Sequence, residues 1–151
     1  MTNGAQKVAL SISVAATPAE VWAVIGNFQD MSWHPAVHFN TGANGNASAA
    51  TRLLTLGGDG GPTIAEALVD HSDTGMAYGY RITEVLPEVL PVANYSSQLS
   101  VRAGSGGGAE VEWQGAFEPT DPTNGTASTE AVTGVYKLGL DALVERFGAG
   151  S

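Results

Sequence analysis

Apolar and polar positions alternate strictly along residues 7–15. Val8, Leu10, Ile12 and Val14 fall on one face and Ala9, Ser11, Ser13 and Ala15 on the other, which is the period of a half-buried strand. The period then changes. Thr17 can cap a helix with Pro18 at its first position and Glu20 three residues after the cap, while Val21, Trp22, Ile25 and Phe28 form an apolar stripe. Gly26-Asn27 ends that helix or bends it into a second short one through residues 30–33, and Pro35 forbids a long continuation. Strand-like segments follow at about 36–42, 49–56, 63–71, 76–84, 95–103 and 110–118. They are separated by turn-forming runs such as Gly42-Ala-Asn-Gly-Asn, Gly57-Gly-Asp-Gly-Gly-Pro, Ser72-Asp-Thr-Gly and Gly104-Ser-Gly-Gly-Gly. Consecutive hairpins predict an antiparallel meander. A Pro/Asp/Asn/Gly loop at 119–125 leads into the one long helical pattern, about 126–147, with Val132, Val135, Leu138, Ala142, Leu143 and Phe147 on a broad apolar face and Gly148 as its stop. Gly134 and Gly139 interrupt that helix at a cost of about 1 kcal/mol each relative to Ala, so close approach of the sheet or of a ligand is expected there.

The size, 151 residues, suits one domain spanning 1–151 with a real core. A formal net charge of -9 with only six Lys and Arg argues against nucleic acid or an anionic membrane as partner. Neutral or weakly polar ligands remain. The chain has no cysteine, hence no disulfide and no thiolate chemistry. No apolar run approaches a membrane span. Residues 8–16 read as a strand rather than a signal segment, because Ser11 and Ser13 interrupt them. A cytoplasmic protein without membrane insertion, a monomer or homodimer, is the expectation.

The order of elements and the runs Ile12-Ser-Val-Ala-Ala-Thr-Pro-Ala-Glu-Val-Trp22, Met31-Ser-Trp-His-Pro35, Arg52-Leu-Leu-Thr-Leu-Gly-Gly58 with Ile64-Ala-Glu66, Leu90-Pro-Val-Ala-Asn-Tyr95, Val111-Glu-Trp-Gln-Gly-Ala-Phe117 and Gly134-Val-Tyr-Lys-Leu-Gly-Leu-Asp-Ala-Leu143 resemble the helix-grip, START-like (SRPBCC) superfamily, in its small bacterial polyketide cyclase/dehydrase branch. The resemblance implies an α+β fold in which a curved antiparallel sheet of about seven strands wraps a long C-terminal helix. It also implies two short helices after the first strand and an internal cavity. A cofactor-independent lyase or isomerase, or a carrier or sensor of a hydrophobic cyclic or polyketide-like molecule, would suit such a cavity. By position, the turn of Gly57, Gly58, Asp59, Gly60 and Gly61 resembles the gate loop of the abscisic-acid receptor relatives, and residues 85–92 the facing lid.

Register arithmetic supplies the most specific chemistry. A turn centred near Asp59 sets Arg52 opposite Glu66, and one centred near Asp73 sets Glu66 opposite Tyr80, all on the apolar face. Two readings follow. Glu66 is a buried carboxylate neutralised by Arg52 that holds the sheet in register, or it is a base beside a ligand carbonyl polarised by Arg52 or Tyr80. His34, in the Trp33-His34-Pro35 turn, is a candidate proton carrier at the cavity mouth. His34 and His38 have i,i+4 spacing, but Pro35 excludes a regular helix through both, so no metal site and no cofactor are expected. Trp33, Tyr78, Tyr95, Trp113, Phe117, Tyr136 and Leu138 are the expected ligand-lining side chains.

Overall fold

The computed structural model describes residues 5–121, 123 and 125–150. Seven strands, β1 (Gln6–Val14), β2 (Val37–Ala43), β3 (Thr51–Leu56), β4 (Thr63–Ser72), β5 (Ala77–Val85), β6 (Val92–Ala103) and β7 (Ala109–Pro119), form one antiparallel sheet. Their order is β1-β7-β6-β5-β4-β3-β2. Six of the strands make a meander. β1 crosses to the far edge and pairs with β7, from Gln6 opposite Phe117 to Val14 opposite Ala109. Helices α1 (Pro18–Ile25) and α2 (Gly125–Phe147) complete the α+β helix-grip architecture, with α2 against β1 and β7. Of the connection expected at 119–125, Pro122 and Asn124 lie outside the described residues. No helix among the described residues is long and apolar enough to cross a membrane.

Local chemistry explains the elements. Thr17 Oγ1 accepts the Glu20 amide while Glu20 accepts from the Thr17 amide, a complete capping box, with Pro18 opening α1. The second short helix is absent. Asn27 Oδ1 accepts the Gln29 amide and Asp30 Oδ1 accepts the Ser32 amide. Those side chains favour turns, closed by Asp30 N–H to the Asn27 carbonyl and His34 N–H to the Met31 carbonyl, over a continuous helical ladder.

The register puts Arg52 opposite Glu66 as expected, but Glu66 faces Ile82, and Tyr80 faces Leu68. The β4–β5 turn closes between Ser72 and Ala77, later than Asp73; β4 bulges at Val69, and β5 bulges at Thr83 beside the Ala65–Glu66 step. The slip relative to expectation is two residues, so Tyr80 keeps its inward face. On α2 the buried line is Ser128, Val132, Tyr136, Gly139, Leu140 and Leu143. Leu138 is 46% exposed and Val135 36%. Tyr136 and Gly139 turn the helix by their size: the indole of Trp113 stacks on the Tyr136 ring at 4.5 Å, and that apposition rotates the predicted aliphatic pair outward.

Candidate functional site

Against the inner face of the sheet, between the turns after α1 and helix α2, lies an enclosed cavity of about 60 Å³. Its deep wall includes Met31, His34, Arg52, Leu54, Glu66, Tyr80, Leu90, Tyr95 and Trp113. Its rim is Ala36, Val37, Leu56, Ile82 and Val135, all of them partly or well exposed. Larger depressions exist, such as one of about 480 Å³ against Gly79 and Gly115, but they are open grooves of sheet surface with no enclosing wall.

The cavity wall contains one ion pair. Arg52 Nε donates to Glu66 Oε1 at 2.7 Å, with both side chains almost wholly out of solvent. The guanidinium is fixed on its other sides: Nη1 donates to the Phe28 carbonyl at 2.9 Å and to the Tyr78 hydroxyl at 3.4 Å. Its carbon lies 4.1 Å from the Phe28 ring centre and 4.9 Å from that of Tyr80. Burial disfavours the Arg52 cation, but Glu66 and the flanking tyrosines more than offset that, so the group stays protonated. Burial pushes the Glu66 carboxyl up, and Arg52 pulls it back without cancelling the rise. Among the described residues only Oε1 of Glu66 has a hydrogen-bond partner; Oε2 has none.

His34 is placed at the cavity but is not a free base. Nδ1 accepts the Ala36 amide at 3.1 Å, which leaves Nε2 to carry the hydrogen and donate to the Val135 carbonyl at 2.8 Å. Burial, with the Arg52 charge, lowers its pKa below the ordinary 6.5, and the Val135 bond opposes this only in part. The folded state therefore binds fewer protons at His34 than the unfolded chain, and stability falls as pH drops below about 6.5. Thermal melts from pH 7.5 to 5 should show this loss, and a His34→Phe variant should show a shallower decline over the same window.

A second layer of polar aromatics backs the cavity. Trp113 Nε1 donates to the Tyr80 hydroxyl and to Ser97 Oγ, each at 3.1 Å. Ser97 Oγ donates to the Gln114 carbonyl at 2.7 Å, and the Tyr136 hydroxyl bridges Ser97 and Tyr95. Burial raises the Tyr136 hydroxyl to about 12, so it stays neutral.

The expected residues thus divide. Arg52, Glu66, Tyr80, His34, Tyr95 and Trp113 line the cavity. Tyr78, Phe117 and Tyr136 are buried behind it, Tyr78 under Arg52, Phe117 stacked on Tyr95 and Tyr136 on Trp113. Trp33 packs on His34 and Trp113, with an indole N–H that has no partner among the described residues. Leu138 faces outward and is not a lining residue. Phe28 and Ser97 were missed as site supports. Phe28 reads only as the last apolar position of the α1 stripe, and Ser97 gives no signal among the serines of β6.

The turn carrying Gly57, Gly58, Asp59, Gly60 and Gly61 sits beside the rim. The Gly57 amide bonds the Ala36 carbonyl at 3.2 Å and the His38 ring pairs with Asp59 at 2.8 Å, tying the turn to the start of β2. Gly57 and Gly60 take positive φ (77° and 72°).

Residues 5–148 match the polyketide cyclase/dehydrase and lipid transport family. The chain belongs to that family. Among solved structures, this family member is similar to XoxI from Bacillus cereus, with 28% identity, a TM-score of 0.81 and coverage of 97% of this chain and 96% of that one. It is likewise similar to an uncharacterised protein from Bacillus thuringiensis, with 28% identity, a TM-score of 0.82 and coverage of 94% and 98%. Norcoclaurine synthase from Thalictrum flavum, solved with dopamine and hydroxybenzaldehyde, shares the fold at 12% identity, a TM-score of 0.71 and coverage of 95% and 86%. Among curated proteins none matches the chain.

Proposed function

We propose that this member of the polyketide cyclase/dehydrase and lipid transport family binds a hydrophobic, cyclic or polyketide-like small molecule in the cavity behind Val37, Leu56 and Val135. The observation that carries this reading is an enclosed, mostly aliphatic and aromatic chamber whose wall holds one buried ion pair. Ligand sites combine a broad apolar lining with a few fixed polar groups in this way. Binding without chemistry is the first reading, because His34 has both ring nitrogens engaged and Glu66 is paired. Acid/base cyclisation or dehydration is the second. It is favoured by the unpartnered Glu66 Oε2 and the raised carboxyl, which suit a proton acceptor beside a carbonyl polarised by Arg52 or Tyr80.

Drug-sized ligands occupy roughly 300–1,000 Å³, so a 60 Å³ chamber admits one only by opening at its rim. The deep wall is fixed by the Arg52 and Trp113 bonds, whereas the glycine turn, closed by its own backbone bonds, is tied to the start of β2 by one backbone bond and the exposed His38–Asp59 pair, an interaction of small net energy. An Asp59→Ala variant should therefore take up and release an environment-sensitive apolar dye faster than the wild type in stopped-flow measurements, with an unchanged melting temperature. Absence of any saturable dye binding in the wild type would refute the cavity reading. Native mass spectrometry of freshly purified protein would show a retained ligand directly.

A further inference from the structure

We infer that the Glu66 carboxylate is the orienting contact of the cavity, and that the bound molecule is a neutral ring presenting one N–H or O–H donor to Oε2. The inference rests on the cavity-binding reading and narrows it to a ligand class. Glu66 Oε1 is occupied by Arg52 Nε at 2.7 Å, while Oε2 has no partner among the described residues in a side chain that is 5% exposed and lines the chamber. A carboxylate oxygen that lines the cavity and has no protein donor is open to a ligand's donor, and hydrogen bonds to charged groups are among the stronger ones. Arg52 cannot swing round to supply a second bond, because Nη1 is held by the Phe28 carbonyl and the guanidinium lies over the Phe28 ring.

Charge decides which donor fits. A cationic amine at Oε2 would shed its hydration beside a carboxylate that Arg52 already neutralises, and an anionic ligand would be repelled by that carboxylate; each carries an uncompensated charge into a low-dielectric site. A neutral N–H or O–H meets neither penalty. The rest of the chamber offers ring-sized apolar surface from Leu54, Tyr80, Tyr95 and Trp113, which stacks on a planar ring without dictating its orientation. One donor and one flat apolar body are therefore what the walls complement.

Indole and 1-methylindole differ at the donor, which methylation removes. Calorimetric titration of the intact chain, with NMR shifts at the Trp113 indole N–H placing the ligand in the cavity, is expected to give indole at least about tenfold tighter binding than 1-methylindole. In Glu66→Gln the amide oxygen keeps the Arg52 bond and the NH₂ group faces the chamber. The preference should then shift from indole towards 1-indanone, a ring ketone that accepts instead of donating. Equal affinities for indole and 1-methylindole at the same site would overturn the donor assignment and leave cavity binding intact. So would a Glu66→Gln protein that keeps the wild-type preference. Failure of all three compounds, and of an apolar dye, to bind would overturn both readings. Should Glu66→Gln fail to fold, the wild-type comparison alone decides.

Discussion

Replacing Glu66 with Ala is expected to destabilise the fold by about 3–5 kcal/mol in chemical denaturation, the usual result of leaving one member of a buried ion pair uncompensated. The loss should be largest below about pH 4.5 and shrink as pH rises, because the wild-type carboxyl, raised by burial, favours the fold most where it is protonated, while the Arg52 guanidinium left behind cannot shed its proton. Arg52→Ala should behave differently. It also removes the bond to the Phe28 carbonyl and the packing on the Phe28 ring, but the carboxyl left behind can neutralise itself. Without Arg52, nothing opposes the upward push that burial exerts on Glu66. A carboxyl whose folded pKa lies above its unfolded value contributes stability at low pH and loses it as pH rises from the ordinary 4.5 through the folded value. The Arg52→Ala protein should therefore show its smallest deficit, that of the lost Phe28 contacts, near pH 4.5 and fall further below the wild type towards pH 8. A uniform deficit for Arg52→Ala across that range would show that Glu66 is not desolvated in the way described. Glu66→Gln, which keeps the acceptor for Arg52, should be much milder than Glu66→Ala at every pH.

The two glycines of α2 should respond to alanine with opposite signs. A Cβ at Gly139 would lie 2.6 Å from His34 Cδ2 and 2.9 Å from Trp113 Cζ3. His34 is held to the Val135 carbonyl and the Trp113 ring is braced by its indole bonds, so neither gives way easily. Overpacking of that kind costs about 1–3 kcal/mol, and the displaced His34 should also flatten the acid-side loss of stability. At Gly134 an added Cβ meets nothing within 4 Å. Its replacement by Ala should stabilise by about 0.5–1 kcal/mol through helix propensity. Melting temperatures of the two single variants test both signs; a stabilised Gly139→Ala would mean that His34 does not press on the helix.

Much of this was legible in the sequence because strand period and turn chemistry are local. The β1 alternation, the Thr17-Pro18-Glu20 start of α1 and the Gly/Asn/Asp turns placed every strand close to its observed position. The Arg52–Glu66 pairing followed from one short hairpin whose turn could be centred by eye. The features that escaped depend on events which composition does not mark. A bulge at Val69 in β4 and a later turn moved Tyr80 from opposite Glu66 to opposite Leu68. The orientation of α2 was set by a stacked Tyr136 and an accommodating Gly139, neither of which counts as hydrophobic in a periodicity reading, so Leu138 was assigned inward and lies outward. His34 lies at the cavity, but what its nitrogens bond to could not be read from the sequence. A backbone amide and a helix carbonyl occupy its two nitrogens, and backbone groups leave no trace in residue identity. The site roles assigned from the sequence remain tied to the experiments above.

The pairing of β1 with β7 also sets a timetable. Of this sheet's strands β1 is made before the others, yet it finds its hydrogen-bond partner only when residues 109–117 have been made, and its apolar face is covered by α2, later still. Until then Val8, Leu10, Ile12 and Val14 belong to an unpaired strand with one hydrophobic side. Closing so long a loop must precede the contacts that reward it, which slows folding, and a waiting strand of this kind invites pairing with another chain. The low-charge alternation of Ala9, Ser11 and Ser13 on its other face offers little repulsion against that. The meander from β2 to β7 can meanwhile assemble hairpin by hairpin. The sheet is thus complete only after β1 has met β7 and α2 has closed over both.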